Sequence, residues 1–322
     1  MRRLRTLRIS VTSNCDLSCV YCDADGVTSK SAACPTAERA RGLTADEIGR
    51  LARAARLAGV ATVRLTGGEP LLRDDLEEVV SRVRGAGIED VALTTNARRL
   101  AARVPGSPST RARALALSGL ERVNVGLPSL DKRTYRAMTG GRLEEALDGL
   151  ESAFDAQLAP VKVNVVLVRG ANDWELEAFV EFARSRPVEV RFIERMPFAG
   201  ANGLVRACEV RAALRQVLGD GALGDATLTP TAEMYRPRGF AGRIGLIAPV
   251  TEPFCGRCDR LRVTSDGKLR ACLSEPGGAE LAPLLAAGAP AESLAREMLD
   301  CFARKPERHS GSFAGPMRGI GG

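Results

Sequence analysis

The sequence predicts an α/β fold: an open, partial barrel of six βα units, followed by a smaller C-terminal region. Three observations lead there. Short runs rich in β-branched residues alternate with amphipathic segments from Leu4 to Glu194, the rhythm of parallel strands joined by crossover helices. Six such units are too few to close an eight-stranded barrel, so the sheet should stay open. The alternation weakens after Met196, where "MPFAGANG" reads as a loop. That places a boundary near residue 197, between a first domain over 1–197 and a second over 198–322.

The units follow in order. "LRTLRISV" (4–11) is the first strand, and the cysteine-rich stretch "NCDLSCVYCDADG" (14–26) follows it directly. "TADEIGRLARAARLAG" (44–59) is a helix, because Thr44 and Glu47 form a capping box and Gly59 stops it. "TVRLT" (62–66), a helix over 74–86 and "DVALTT" (90–95) come next. A helix near 109–119, "RVNVGL" (122–127), a helix over 142–156 and "VKVNVVLV" (161–168) continue the pattern. A helix over 173–184 and "VEVRFIE" (188–194) complete it. Beyond the boundary, 207–218 reads as a helix and "RIGLIAPV" (243–250) as a strand. Ligand-binding groups in such folds gather at the carboxyl ends of the strands.

Composition narrows the class. Hydrophobic residues are 45% and charged residues 26%, an ordinary globular balance. No apolar run approaches the roughly 20 residues that span a bilayer, so no membrane association is expected. The apolar part of "MRRLRTLRISV" is short, is broken by Arg8 and leads to no small-residue cleavage site, so the expected compartment is the cytoplasm. The net charge of +7 has two readings, solvated surface arginines or an anionic ligand. Basic residues form no consecutive block and aromatics are 4%, which disfavours nucleic acid. Nine cysteines without an export signal argue against a disulfide framework. Six of them fall into two groups of three, Cys15/Cys19/Cys22 and Cys255/Cys258/Cys272, while Cys34, Cys208 and Cys301 match no ligand spacing.

Three is one thiol short of a tetrahedral zinc site or an all-cysteine cluster. The shortage is accidental, completed from elsewhere in the chain, or itself the functional feature. A four-iron cluster on three thiolates leaves one iron with an open position, much as catalytic zinc keeps one for water. His309, the only histidine, is distant in sequence, so completion of a zinc site has little to draw on.

Cys15-x3-Cys19-x2-Cys22 after the first strand, with "LTGGEPLLR" (65–73) ending the second, resembles the radical S-adenosylmethionine (radical SAM) superfamily. The resemblance implies a radical SAM partial barrel with a C-terminal cluster-binding extension. It also implies a 4Fe-4S cluster on the first cysteine group and S-adenosylmethionine bound by Tyr21, Gly67, Gly68, Glu69, Thr95 and Asn96. Gly67 and Gly68, lacking Cβ atoms, would let backbone carbonyls approach that ligand.

"FCGRCDRLRVTSDGKLRACL" (254–273), with "VRFIERMP" and the terminal Gly321-Gly322, is similar to the GTP 3',8-cyclase family within that superfamily. That resemblance implies a second 4Fe-4S cluster on Cys255, Cys258 and Cys272, whose open iron takes the purine of GTP. A 5'-deoxyadenosyl radical would remove the ribose C3' hydrogen, and the C3' radical would attack C8, opening molybdenum cofactor biosynthesis. By motif position Arg8, Arg64, Lys162, Arg191, Arg260 and Arg262 are the candidates for the triphosphate, since guanidinium groups pair bidentately with phosphate. The alternative for each is an ion pair between strands. The resemblance further implies an electron donor such as flavodoxin or ferredoxin, a pterin-forming enzyme downstream, a possible homodimer and insertion of the tail with Arg318 into the site. Thr62, Gly126, Pro128 and Asp259 depart from the family pattern, which leaves another nucleotide, or a peptide, as alternative substrates.

Overall fold

A computed structural model describes residues 2–22, 42–198, 202–219, 223–275, 277–311 and 320. Cys34, Arg318, Gly321 and Gly322 lie outside the described residues. The chain runs β1 (Thr6–Ser10), α1 (Ala45–Leu57), β2 (Thr62–Thr66), α2 (Leu76–Gly85), β3 (Asp90–Thr95), α3 (Arg111–Leu117) and β4 (Arg122–Gly126). It continues through α4 (Lys132–Thr139), α5 (Leu143–Asp155), β5 (Val161–Leu167), α6 (Leu176–Ser185) and β6 (Val188–Glu194). The C-terminal region holds α7 (Ala207–Leu218), β7 (Thr227–Leu228), β8 (Glu233–Tyr235) and β9 (Arg243–Ile247). It ends with β10 (Arg260–Val263), β11 (Leu269–Arg270), α8 (Ala282–Ala286) and α9 (Ala291–Ala303).

The six expected strands are adjacent and parallel, and the sheet is open. The C-terminal region adds to both of its edges: β10 pairs parallel with β1, and β9 pairs parallel with β6. β11 and the β8–β7 hairpin then cap these edges antiparallel, giving the order β11-β10-β1-β2-β3-β4-β5-β6-β9-β8-β7. Bare edges of the six-stranded core would leave rows of unpaired N–H and C=O groups, and the C-terminal strands satisfy them. The second cysteine group is thereby carried to the strand next to the first.

Alternation along the strands separates two environments. In β5, Val161, Val163, Val165 and Leu167 are buried against the helices, while Lys162, Asn164 and Val166 face inward. β6 repeats this with Glu189, Arg191 and Ile193 inward. Leu7, Ile9, Val63, Leu65 and Leu93 are fully buried in the core. Each such side chain contributes roughly 1.5–3 kcal/mol on leaving water. The capping box of α1 forms as expected, with Thr44 N–H donating to Glu47 at 2.8 Å and Glu47 N–H to the Thr44 hydroxyl at 3.2 Å. α9 packs on α1, and Arg50 donates to the carbonyls of Leu285 and Ala289, both at 2.7 Å. The sequence reading has no element between 127 and 142. α4 lies there, capped by Asp131, whose carboxylate accepts from Thr134 N–H at 2.8 Å, and ended by Gly140 at φ +76°.

Candidate active site

The first cysteine group is held at the carboxyl end of β1 by backbone contacts from two segments, the one after β2 and the end of α4. Gly68 N–H donates to Thr12 O and Glu69 N–H to Asn14 O, both at 2.7 Å. A Cβ on Gly67 would meet Thr12 O at 2.4 Å, and one on Gly68 would meet Asn14 O at 2.1 Å. The space these glycines leave is thus filled by the chain entering the cysteine loop, and both glycines also line the cavity expected to take the ligand. Farther along, Ser18 N–H and Val20 N–H donate to Thr139 O and Met138 O at the end of α4, each at 2.9 Å.

Side chains complete the hold. Asn96 donates its amide to Asp16 at 2.8 Å, and Arg98 reaches the same carboxylate at 3.2 Å. Glu69 accepts from the Thr95 hydroxyl at 2.6 Å, Asn96 N–H at 2.7 Å and Leu71 N–H at 3.0 Å. Burial pushes the Glu69 carboxyl up to about 7 against the pull of those three bonds. Thr95, Asn96 and Glu69 therefore spend these bonds on joining β2, β3 and the cysteine loop. Tyr21 lies between Cys19 and Cys22 on the wall of the cavity, its hydroxyl held protonated by burial and by the two neighbouring sulfurs.

The second group is built on the added strands. Cys255 opens a single 3-10 turn, Cys258 N–H closes it on Cys255 O at 3.2 Å, and Cys272 follows β11. Burial raises the Cys258 thiol, but Arg260 and Lys305 outweigh it and bring the group down to about 7. A lowered thiol favours the thiolate that binds metal. Glu194, at the end of β6, fixes the approach to this turn. It accepts from Ala207, Val250 and Thr251 N–H, each at 2.9 Å, and from the Thr251 hydroxyl.

Between the groups lies a cavity of about 330 Å³, lined by all six cysteines and by Tyr21, Gly67, Gly68, Glu69, Thr95 and Asn96. Arg8, Arg64, Arg191, Arg260 and Arg262 complete the predicted set that lines it. Arg270, Arg262, Arg8 and Arg64 stand directly opposite one another on β11, β10, β1 and β2. Burial, then the charges of Arg262, Arg64 and Arg260, weaken Arg8's hold on its proton. Arg64 is pushed down to about 9 by burial and by Arg122, Arg191 and Arg260. The Nε atoms of Arg64, Arg191 and Arg260 and the Nη1 of Arg262 meet no hydrogen-bond partner among the described residues. Buried donors normally find partners, and guanidinium donors left open toward a cavity can receive an anion.

Lys162 is the one candidate the cavity does not include. It pairs with Glu189 at 3.4 Å, and Arg191 pairs with the same carboxylate at 2.7 Å. An ion pair between strands thus describes Lys162, while Arg191 pairs with Glu189 within its own strand β6; no such pair holds Arg64, Arg260 or Arg262 among the described residues. Thr62 shares Asp90 with Arg122, at 2.7 Å to each. Gly126 lines the cavity with room for a side chain, since a Cβ there would have Thr95 O at 3.9 Å as its nearest neighbour.

Asn164 and Lys305 also line the cavity and were not anticipated, and so does His309, the first residue of the tail expected to enter the site. His309, distant in sequence, sits at the same site. Its Nδ1 accepts from Gly311 N–H at 3.1 Å and its Nε2 lies 2.8 Å from Pro249 O, so both ring nitrogens are engaged. Ile320 near the chain's end is buried. Among the described residues, no three Cys, His, Asp or Glu side chains converge on one point as ligands of a single ion would. Three thiols from each group lining one cavity fit a multi-iron cluster, with one thiolate per iron. Two such clusters and a polyanion fit the donors present.

Comparison with known proteins bears on this site. The family model described as Radical SAM superfamily matches residues 9–183, and that described as Molybdenum Cofactor Synthesis C matches residues 188–311. A GTP 3',8-cyclase of Pelotomaculum thermopropionicum is 43% identical over 318 residues, 96% of this chain and 93% of that protein. The GTP 3',8-cyclase of Moorella thermoacetica is 38% identical over 315 residues, with the same coverage of 96% and 93%. Among solved structures, Streptococcus suis SuiB bound to S-adenosylmethionine aligns with a TM-score of 0.62 at 16% identity. The alignment covers 89% of this chain and 64% of that one, and at this identity it speaks to the fold alone.

Proposed function

The chain belongs to the radical SAM superfamily and, within it, to the GTP 3',8-cyclase family, and we propose that it converts GTP to 3',8-cyclo-7,8-dihydro-GTP, the opening step of molybdenum cofactor synthesis. The observation that carries this reading is one cavity shared by both three-cysteine groups and by Arg64, Arg260 and Arg262, each with a buried donor that meets no partner among the described residues. In this reading Cys15, Cys19 and Cys22 would hold a 4Fe-4S cluster for the cleavage of S-adenosylmethionine, and Cys255, Cys258 and Cys272 would hold a second beside the base of the nucleotide. When bound, the first cluster and S-adenosylmethionine supply the one-electron cleavage that starts the reaction.

The protein's own part is placement. Arg64, Arg260 and Arg262, with Arg8 in register between β2 and β10, receive the triphosphate and neutralise it. Their donors are already desolvated and aimed inward, so little reorganisation is needed on binding. Arg260 is steadied over the Phe254 ring at 5.4 Å. Fixing the triphosphate at the β1–β2–β10 wall sets where the ribose and base lie between the two cysteine groups, and this positioning lowers the barrier. Lys162 acts at one remove, by sharing Glu189 with Arg191. Glu69, Thr95 and Asn96 position the first cysteine loop, and Tyr21 closes its wall. The division near residue 197 then separates the cysteines of the radical source from those of the second group, while the arginines of the substrate wall come from both sides of it.

An external one-electron donor such as flavodoxin or ferredoxin, a pterin-forming enzyme that takes the product, a cytoplasmic setting and a homodimer belong to the same proposal. No helix among the described residues is long and apolar enough to cross a membrane. The test is anaerobic incubation of reconstituted protein with S-adenosylmethionine, reductant and GTP. A chromatographically distinct isomer of GTP, of unchanged mass, formed with 5'-deoxyadenosine is the expected result. 5'-Deoxyadenosine released while GTP is recovered intact would sink the assignment of GTP.

A further inference from the structure

Lys305 lies just beyond α9, and 7% of its surface is exposed. Its ammonium donates to the carbonyl of Arg260 at 3.0 Å and also to the carbonyl of Ala271. The first carbonyl is two residues after Cys258 and the second immediately precedes Cys272. Its own main chain is clamped by Arg2, which donates to the carbonyls of Lys305 and Pro306 at 2.8 Å and of Cys255 at 3.1 Å. Lys305 thus bridges the segments that carry two cysteines of the second group, and Arg2 ties that bridge to the third.

Two carbonyls could be joined by a neutral donor at a lower cost of burial. They do not account for a charge in this place. An ammonium has three N–H donors, and the carbonyls use two. The side chain also lines the cavity together with Cys255, Cys258 and Cys272. A four-iron cluster on three thiolates is anionic, and it gains further negative charge on reduction. Its potential responds to nearby charge and to hydrogen bonds at sulfur. A fixed cation in a water-poor site acts on it strongly.

We propose that Lys305 is a positioning residue of the second cluster: it joins the segments bearing Cys258 and Cys272 and sets beside them a positive charge that favours the cluster's reduced state. This role rests on the reading of Cys255, Cys258 and Cys272 as cluster ligands. Iron analysis of the wild-type chain therefore comes first. About eight irons per chain carry that reading, and about four refute it along with this role.

The deciding experiment uses the full chain with Cys15, Cys19 and Cys22 replaced by alanine, so that the second cluster is observed alone. Its midpoint potential is followed by electron paramagnetic resonance during a redox titration. Lys305→Gln should shift the potential to more negative values, while Lys305→Arg should stay close to the parent. Iron lost from Lys305→Gln alone would equally show that the charge is needed. An unchanged potential in Lys305→Gln overturns the proposal. So does equal loss of iron from both variants, because shape and not charge would then be what matters.

Discussion

Replacing Arg64 by methionine should make the nucleotide-free chain more stable and its nucleotide binding weaker. Arg64 projects from β2 beside Arg8 of β1, and its Nε has no partner among the described residues. Arg122, Arg191 and Arg260 all oppose its charge; Asp90 favours it, but that carboxylate is already bonded to Arg122 and Thr62. An unsatisfied buried donor costs about 1–3 kcal/mol. Methionine keeps much of the apolar stem and removes the charge. With an unfolding entropy of about 2.1 cal/mol/K per residue, a chain of 322 residues gains roughly 1.5–4 °C in melting temperature. The same change removes a charge-assisted bond to phosphate, about 1.5–3 kcal/mol, so GTP affinity should fall roughly 10- to 150-fold. Scanning calorimetry of the nucleotide-free protein and titration calorimetry with GTP read the two sides, at one fixed ionic strength. A lower melting temperature with unchanged GTP affinity would show that Arg64 serves the fold and not the ligand.

Three further outcomes are expected. Gly68→Ala would set a Cβ 2.1 Å from Asn14 O, so the cysteine loop should undock and iron content fall to about half, one cluster of two; full iron content would contradict this. Glu194→Ala strips the acceptor from three backbone N–H groups and the Thr251 hydroxyl. Urea unfolding should show a loss of about 3–5 kcal/mol, the range for breaking a buried network, and a change under about 1 kcal/mol would refute the anchoring role. Lys162 is pushed down to about 8 by burial and Arg191. Its folded pKa is below the unfolded 10.5, so the native state binds fewer protons between those values and stability rises with pH across that window. The stability advantage of Lys162→Met over wild type, up to about 3 kcal/mol below pH 8, should shrink toward zero by pH 10.5, and a pH-independent difference would contradict the assignment.

Much of the site was legible because its signals are local. The two cysteine groups, the capping box at Thr44 and Glu47 and the alternation in "VKVNVVL" each depend on a few adjacent residues. α4 carried signals too, Asp131 before it and Gly140 after it, but eight residues with only Tyr135, Met138 and Thr139 buried make a weak periodic pattern. The edge pairings were not readable. β10 meets β1 across some 250 residues of chain through a four-residue strand, and nothing in either segment names the other. Lys305 was hidden for a related reason, since its partners are main-chain carbonyls, which every residue has. The glycines of "GGEP" were visible as a motif, while their physical need, the Thr12 and Asn14 carbonyls pressed against them, exists only in the folded chain.

The most direct test of the whole account uses GTP carrying deuterium at the ribose C3' position, incubated anaerobically with the reconstituted protein, S-adenosylmethionine and reductant. If the cavity holds the nucleotide between the two cysteine groups as inferred, 5'-deoxyadenosine should acquire the deuterium and appear with an isomer of GTP that has lost it. Unlabelled 5'-deoxyadenosine together with intact, fully deuterated GTP would contradict the placement of the nucleotide on which the account depends.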